Sequence, residues 1–139
     1  MSKAAQVKAP WLNSRDPGVP ATLNYSTLSM CSRVEEMVRR YPDYIAYEFM
    51  GKCTTYAEMW KKINACAKSL KAIGIREGDK VTICMPNAPQ TLCMFYAVNM
   101  VGAIANMVHP LSAESEIAFY LRDSGSVAAI TLDQFYPKF

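Results

Sequence analysis

Apolar residues are distributed along this chain in two ways. Three short runs are nearly continuous: Val81-Thr82-Ile83-Cys84-Met85, residues 103–108 and residues 127–131. Between them lie longer segments in which apolar residues recur at spacings of three and four. Short apolar runs bounded by turn residues predict strands, and the segments between them are long enough for crossover helices. Strand, helix, strand, helix, strand is the order of a parallel sheet covered on both faces. The predicted fold class is therefore α/β, a partial parallel sheet with helices on both faces.

Upstream, Ser26, Thr27 or Ser29 can cap a helix running to about Arg40, with Ser32 and Glu35 as an alternative capping box. Val34, Met37 and Val38 form its apolar side. Early acids (Glu35, Glu36) and late arginines (Arg39, Arg40) suit the helix dipole, and Pro42 closes the element. Residues 44–49 read as a strand that turns at Gly51 and returns through Cys53, Thr54 and Thr55. A second helix runs from Tyr56 to near Ile73, with Trp60, Ile63, Ala67 and Leu70 at helical spacing. Gly74 suits the left-handed position after it, and Ile75 the hydrophobic latch beyond. Residues 76–79 form a polar turn. Residues 91–101 predict a helix that is apolar nearly all round. Ser112 reads as the N-cap of a last helix, with Ile117, Tyr120 and Leu121 as its buried stripe and Asp123-Ser124-Gly125 as its end.

Residues 1–25 contain Pro10, Pro17 and Pro20 and no unbroken apolar core. They predict an irregular arm rather than a signal peptide, with Trp11 as its docked anchor. No Asp, Glu, Lys or Arg lies between Lys80 and Glu114, which raises a membrane-spanning reading. The most apolar part, residues 92–108, is near the lower length limit for a span and is interrupted by Asn99, Gly102 and Asn106. A buried helix followed by a buried strand accounts for it better, so no transmembrane segment is expected.

Composition narrows the function classes. At 139 residues and 51% apolar, the chain suits a packed globular unit. A net charge of +3 is too weak a bias to predict a nucleic-acid partner. Lys61, Lys62, Lys68 and Lys71 share one segment and read as a solvated helix face, with a phosphate-binding patch as the alternative. The five cysteines are odd in number and include no Cys-x-x-Cys, which predicts a reducing, cytoplasmic setting and no metal framework. His109 is the single histidine and has no carboxylate or thiol beside it in sequence. It reads as a hydrogen-bonded structural residue, a base for one of the cysteines being the alternative. Asn87 and Gln90 flank the turn after the first sheet strand, where ligands sit in open parallel sheets. Neither a Gly-x-Gly-x-x-Gly nor a Gly-x-x-x-x-Gly-Lys-Ser/Thr loop occurs, which disfavours a nucleotide site there. Three parallel strands also leave an apolar edge that calls for cover. The expectation is that residues 26–139 are the first portion of a larger domain, with a second copy as another way to cover the edge.

Three stretches then carry a family resemblance. Gly51-Lys52-Cys53-Thr54-Thr55-Tyr56-Ala57-Glu58-Met59 is similar to a Thr-Tyr-x-Glu-Leu motif, with Met59 in the leucine place. The second runs from Ile73-Gly74-Ile75-Arg76-Glu77-Gly78-Asp79-Lys80-Val81 to Pro86-Asn87. The third runs from Val101-Gly102-Ala103-Ile104 to His109-Pro110-Leu111, followed by Glu116-Ile117 and Asp123-Ser124-Gly125. In this order they resemble the N-terminal part of the large AMP-binding domain of adenylate-forming enzymes. Acyl-CoA synthetases are the most similar group. Pro10-Trp11 and Gly18-Val19-Pro20-Ala21 resemble the lead-in of medium- and long-chain fatty-acid members. The chain departs from the family at His109-Pro110, where Asn-Pro or Asp-Pro is common.

The resemblance implies a fatty-acid–CoA ligase. ATP, usually with Mg2+, converts a carboxylate to an acyl-adenylate, and the thiol of CoA then takes the acyl group. An adenylate-former with another acceptor and a non-catalytic interaction module are the alternatives. The family's phosphate loop and catalytic lysine have no matching positions here. No catalytic, cofactor-binding or metal residue is therefore assigned, and ATP, Mg2+ and CoA are expected to be held by the remainder of the enzyme. Thr55, Tyr56, Glu58, Gly102 and Pro110 match motif positions expected to serve packing and turns.

Overall fold

The computed structural model describes residues 9–139. Its elements follow the predicted order. Helix α1 (Met30–Arg40) leads to an antiparallel hairpin of β1 (Ile45–Phe49) and β2 (Lys52–Thr55). Then come α2 (Tyr56–Ala72), β3 (Lys80–Cys84), α3 (Pro89–Val101), β4 (Ile104–Met107), α4 (Glu114–Ser124) and β5 (Ala128–Thr131). The last three strands form a parallel sheet in the order β4-β3-β5. β3 is central, and all of its residues from Val81 to Cys84 are buried.

The pleat of β3 sends alternate side chains to two different cores. Val81, Ile83 and Met85 meet Ala67 and Leu70 of α2 and Ala97, Val98 and Val101 of α3. Cys84, on the opposite face, meets Val108 and Ile117, with Leu121 of α4 against them. Helices therefore cover both faces of the sheet. A satellite core of Met59, Ile63 and Cys93 ties α2 and α3 to the hairpin and to Val34 of α1.

Local chemistry fixes the helix ends. The Thr55 hydroxyl accepts from the Glu58 N–H (3.2 Å), while the Glu58 carboxylate accepts from the Thr55 N–H (3.0 Å), a complete capping box for α2. At the other end Ile75 N–H donates to the Leu70 carbonyl and Gly74 N–H to the Lys71 carbonyl. Gly74 stands at φ +96°, and Ile75 turns back into the core. This is a Schellman closure, which needs the left-handed residue that glycine supplies.

Several expectations change. Trp11 lies in a short 3-10 turn, Pro10–Ser14, and is 64% exposed, so it anchors nothing; a turn of five residues with no buried member offers it no apolar seat. Residues 1–8 of the arm fall outside the described residues. The cap of α1 is Ser29, whose hydroxyl accepts from Ser32 N–H (3.1 Å), which puts Glu35 and Glu36 beyond the first turn. Those acids instead pair along the helix, Glu36 with Arg33 and Glu35 with Arg39, both at 2.6 Å. Helix α3 starts at Pro89, two residues early, because proline suits the first helical position. The N-cap of α4 is Ala113 rather than Ser112, and its N–H donates to the Glu116 carboxylate at 2.9 Å. Tyr120 is exposed, leaving Ile117 and Leu121 to face the sheet.

Candidate functional site

At the carboxyl end of β3 the chain turns through Pro86, Asn87 and Ala88 into α3. The Thr91 hydroxyl donates to the Pro86 carbonyl (2.6 Å), holding this turn against the first helical turn. Beside it is a cavity of about 400 Å3 between β1, α3 and β4, lined by Tyr47, Phe49, Asn87, Leu92, Phe95 and Met107, among others. A second cavity, about 270 Å3, shares Tyr47 and Pro89 and adds Lys62, Cys66, Gln90 and Cys93. Asn87 and Gln90 therefore stand at the predicted edge but line different cavities.

Chemically, the larger cavity is an apolar recess with a few polar groups at its rim. No lysine or arginine lines it. Pro86 and Pro89 have no N–H to offer an anion. The described residues at this edge therefore do not fit a nucleotide triphosphate, whose charge calls for cations and backbone donors. They also contain no group of three or more His, Cys, Asp or Glu side chains placed to hold a metal ion.

His109 is exposed, and its Nδ1 accepts from the Leu111 N–H (3.2 Å). Cys84 approaches the His109 carbonyl at 3.8 Å through its own thiol, so this contact is to backbone and not to imidazole. Burial pushes the thiols of Cys31, Cys66, Cys84 and Cys93 up from the usual range. Lys138 opposes that rise at Cys84. A raised thiol stays protonated at neutral pH and is a poor nucleophile. Lys138 itself donates to the Pro110 and Ser112 carbonyls (3.2 and 3.1 Å), pinning the loop after β4.

The motif residues are architectural. Thr55 and Glu58 form the capping box, Tyr56 packs on the satellite core, and Pro110 is buried. Gly102 stands at φ +85°, and a Cβ there would lie 3.0 Å from Glu77 Cγ. Its carbonyl accepts from Gly78 N–H (3.0 Å), so this glycine joins the turn before β3 to the end of α3.

One polar cluster has no counterpart among the sequence expectations. On the α4 side of the sheet, Asn106 Nδ2 donates to Thr82 Oγ1 (3.0 Å) and Ser124 Oγ (3.1 Å). The hydroxyls of Thr82 and Ser126 lie 2.7 Å apart, and those of Ser124 and Ser126 2.8 Å apart. Ser124 Oγ donates to the Tyr120 carbonyl (2.6 Å), which uses its one proton. Ser126 must then donate to Ser124, and Thr82 to Ser126. Every donor in the cluster is used, which is the condition under which buried polar groups stabilise. The sequence shows only that Thr82 and Asn106 are polar interruptions in two apolar strands; that they are register partners is seen in the fold.

Comparison with known proteins places this architecture. The family model for "AMP-binding enzyme" matches residues 34–138. A long-chain-fatty-acid–CoA ligase of Bacillus subtilis is 32% identical over 133 residues, covering 96% of this chain and 24% of that protein. A fatty acyl CoA synthetase of Mycobacterium tuberculosis superposes with a TM-score of 0.74 at 33% identity, covering 78% of this chain and 22% of that one. An artificially fused adenylation–PCP di-domain from Klebsiella oxytoca also gives 0.74, at 26% identity, over 77% of this chain and 20% of that one. The chain thus spans about a quarter of the length of the curated ligase it matches. With the parallel sheet, the capping box and the glycine turns all in place, the chain belongs to the AMP-binding enzyme family and is homologous to the fatty-acid–CoA ligases.

Proposed function

We propose that this chain is the N-terminal part of an ATP-dependent fatty-acid–CoA ligase and serves as scaffold within it. In the proposed reaction a fatty-acid carboxylate displaces pyrophosphate from ATP, and the thiol of CoA then takes the acyl group from the resulting acyl-adenylate, releasing AMP. The observation that carries the assignment is the extent of the likeness. Identity to a long-chain ligase runs over 96% of this chain, beyond the 34–138 span matched by the family model.

The residues here support a division of labour. They supply a buried sheet, capped helices and a pinned loop after β4. Charge developing at phosphorus needs a cationic clamp and backbone donors. The recess beside Asn87 offers neither, so the ATP, Mg2+ and CoA contacts are assigned to other parts of the enzyme. A second reading, an adenylate-former with a different acceptor, draws on the likeness to the Klebsiella oxytoca di-domain. The test is product analysis on the protein encoded by the complete gene. Acyl-CoA formed from fatty acid, ATP and CoA supports the proposal. Acyl-adenylate that accumulates and is not taken by CoA supports the second reading.

A further inference from the structure

Two thiols, a thioether and an ammonium group meet where α2 packs on α3. Lys62 and Cys66 stand four residues apart on α2, and therefore on one face of that helix. Cys93 and Met94 lie on α3. All four line the cavity of about 270 Å3, to which Tyr47 of β1 also contributes. Cys93 is 4% exposed and belongs to the satellite core, against which the half-buried Cys66 also packs. The two thiols sense each other: a charge on Cys66 adds to the rise at Cys93, while Lys62 opposes it. Such effects act at close range. A cysteine that serves only as a small hydrophobe needs neither an open cavity nor a cation beside it. These two have both, and the proposed ligase reaction gives them no role.

The donor set selects the ligand. Thiolate and thioether sulfur are soft and favour Cu(I). The lining holds no carboxylate and no imidazole, the groups that would join two thiolates in a four-coordinate zinc site. Two thiolates around a monovalent ion carry one net negative charge. Lys62, the one charged residue in the lining, cancels it. The filled site is then neutral, as a metal beside an apolar core requires. Tyr47 holds the ammonium group in place: Lys62 Nζ donates to its hydroxyl at 3.5 Å and lies 6.0 Å from the centre of its ring.

We propose that Cys66 and Cys93, with Met94 as a third sulfur and Lys62 as counter-charge, form a binding site for Cu(I). Binding exchanges two protons for one metal ion. Each S–H bond breaks, its proton goes to solvent, and each sulfur donates the electron pair it keeps to copper. Copper enters and stays as Cu(I), so no electron is transferred. Burial holds both thiols protonated beforehand, so both protons are released when the ion binds at neutral pH. The site is independent of the reaction performed by the parent enzyme.

The test is competition for Cu(I) between the 139-residue chain and the coloured chelator bicinchoninate, with ascorbate present and oxygen excluded. One equivalent should bind, and the apparent affinity should rise about 100-fold per pH unit around neutrality, because two protons are displaced. Cys66→Ser should weaken binding by more than about 100-fold, the most that an outer partner of a metal site commonly costs, and Lys62→Met by about 10-fold. Cys53→Ser, at an exposed thiol on the hairpin, should leave it unchanged. Circular dichroism verifies that each variant keeps its helices. Cys93 is buried, so its part is read without substitution: X-ray absorption at the copper edge of the unsubstituted chain should show sulfur ligands only. No uptake by that chain, binding that survives Cys66→Ser, or an equal loss with Cys53→Ser would overturn the proposal. So would an unchanged affinity in Lys62→Met, or nitrogen or oxygen ligands at copper.

Discussion

The two faces of β3 are built on different principles. Toward α2 and α3, Val81, Ile83 and Met85 pack against the apolar side chains of Ala67, Leu70, Ala97, Val98 and Val101. Toward α4, Thr82 belongs to a chain of hydrogen bonds through Asn106, Ser124 and Ser126, and Cys84 to a smaller core with Val108 and Ile117. Apolar burial is non-directional and scales with area. The polar cluster is directional, and its worth depends on every partner being present. The first face should therefore respond to lost volume, and the second to lost partners.

The largest effect should come from the apolar face. Ile83 is fully buried, and Ile83→Ala should cost about 2–5 kcal/mol, from lost burial plus the cavity left behind. A urea melt reads this as a lower midpoint at unchanged slope. On the other face Thr82→Val keeps the shape but removes a donor and an acceptor at once. Asn106 and Ser126 each lose a partner, and the cost should be about 1–3 kcal/mol. The sharper experiment adds Asn106→Leu. Because both ends of the same hydrogen bond are then apolar, the double variant should lose less than the two single losses added together. Strict additivity would show that the cluster is not a unit and would dissolve the contrast between the faces.

Smaller effects test how each face is framed. Gly74 ends α2 and turns Ile75 into the apolar core. No neighbour lies within 4 Å of a Cβ placed there, so the cost of Gly74→Val is backbone strain. It should be about 1–2 kcal/mol, seen as a lower urea midpoint. The smallest effect should be on pH dependence. Burial raises the thiols of Cys84, on the α4 side, and Cys93, in the satellite core. A raised folded-state value favours the neutral thiol in the native protein. Its contribution to stability is complete below the unfolded value, near 8.5, and is lost as pH rises through the folded value. Urea midpoints should therefore fall in alkaline buffer, and Cys84→Ala with Cys93→Ala should flatten the decline.

The same contrast explains what could be read from the sequence. The strands, their parallel arrangement and the helices between them follow from short continuous apolar runs and from apolar spacings of three and four, which depend on neighbours in the chain. Gly74 and Ile75 were legible because a Schellman closure is local. Asn106 was not: its partners Thr82 and Ser124 are distant in sequence, and only the β3–β4 register and the end of α4 bring them together. Trp11 misled because a large aromatic side chain announces apolar area without a seat for it. Ser112 misled because a serine before two acids suits a cap as well as Ala113 does once Glu116 reaches back. At the candidate site, Asn87 and Gln90 were placed at the right sheet edge, while the wall contributed by Tyr47 and Phe49 needed the hairpin's position in space.

The central proposal is that these residues are framework and that the ligase chemistry is performed elsewhere in the parent enzyme. The most direct measurement is fatty-acid-dependent pyrophosphate release, with ATP and Mg2+, comparing the 139-residue chain with the protein from the complete gene. The account predicts turnover by the complete protein and none by the chain, with or without CoA. Robust acid-dependent release by the chain, purified free of the longer enzyme, would contradict it and make the Asn87 recess and His109 parts of a working site.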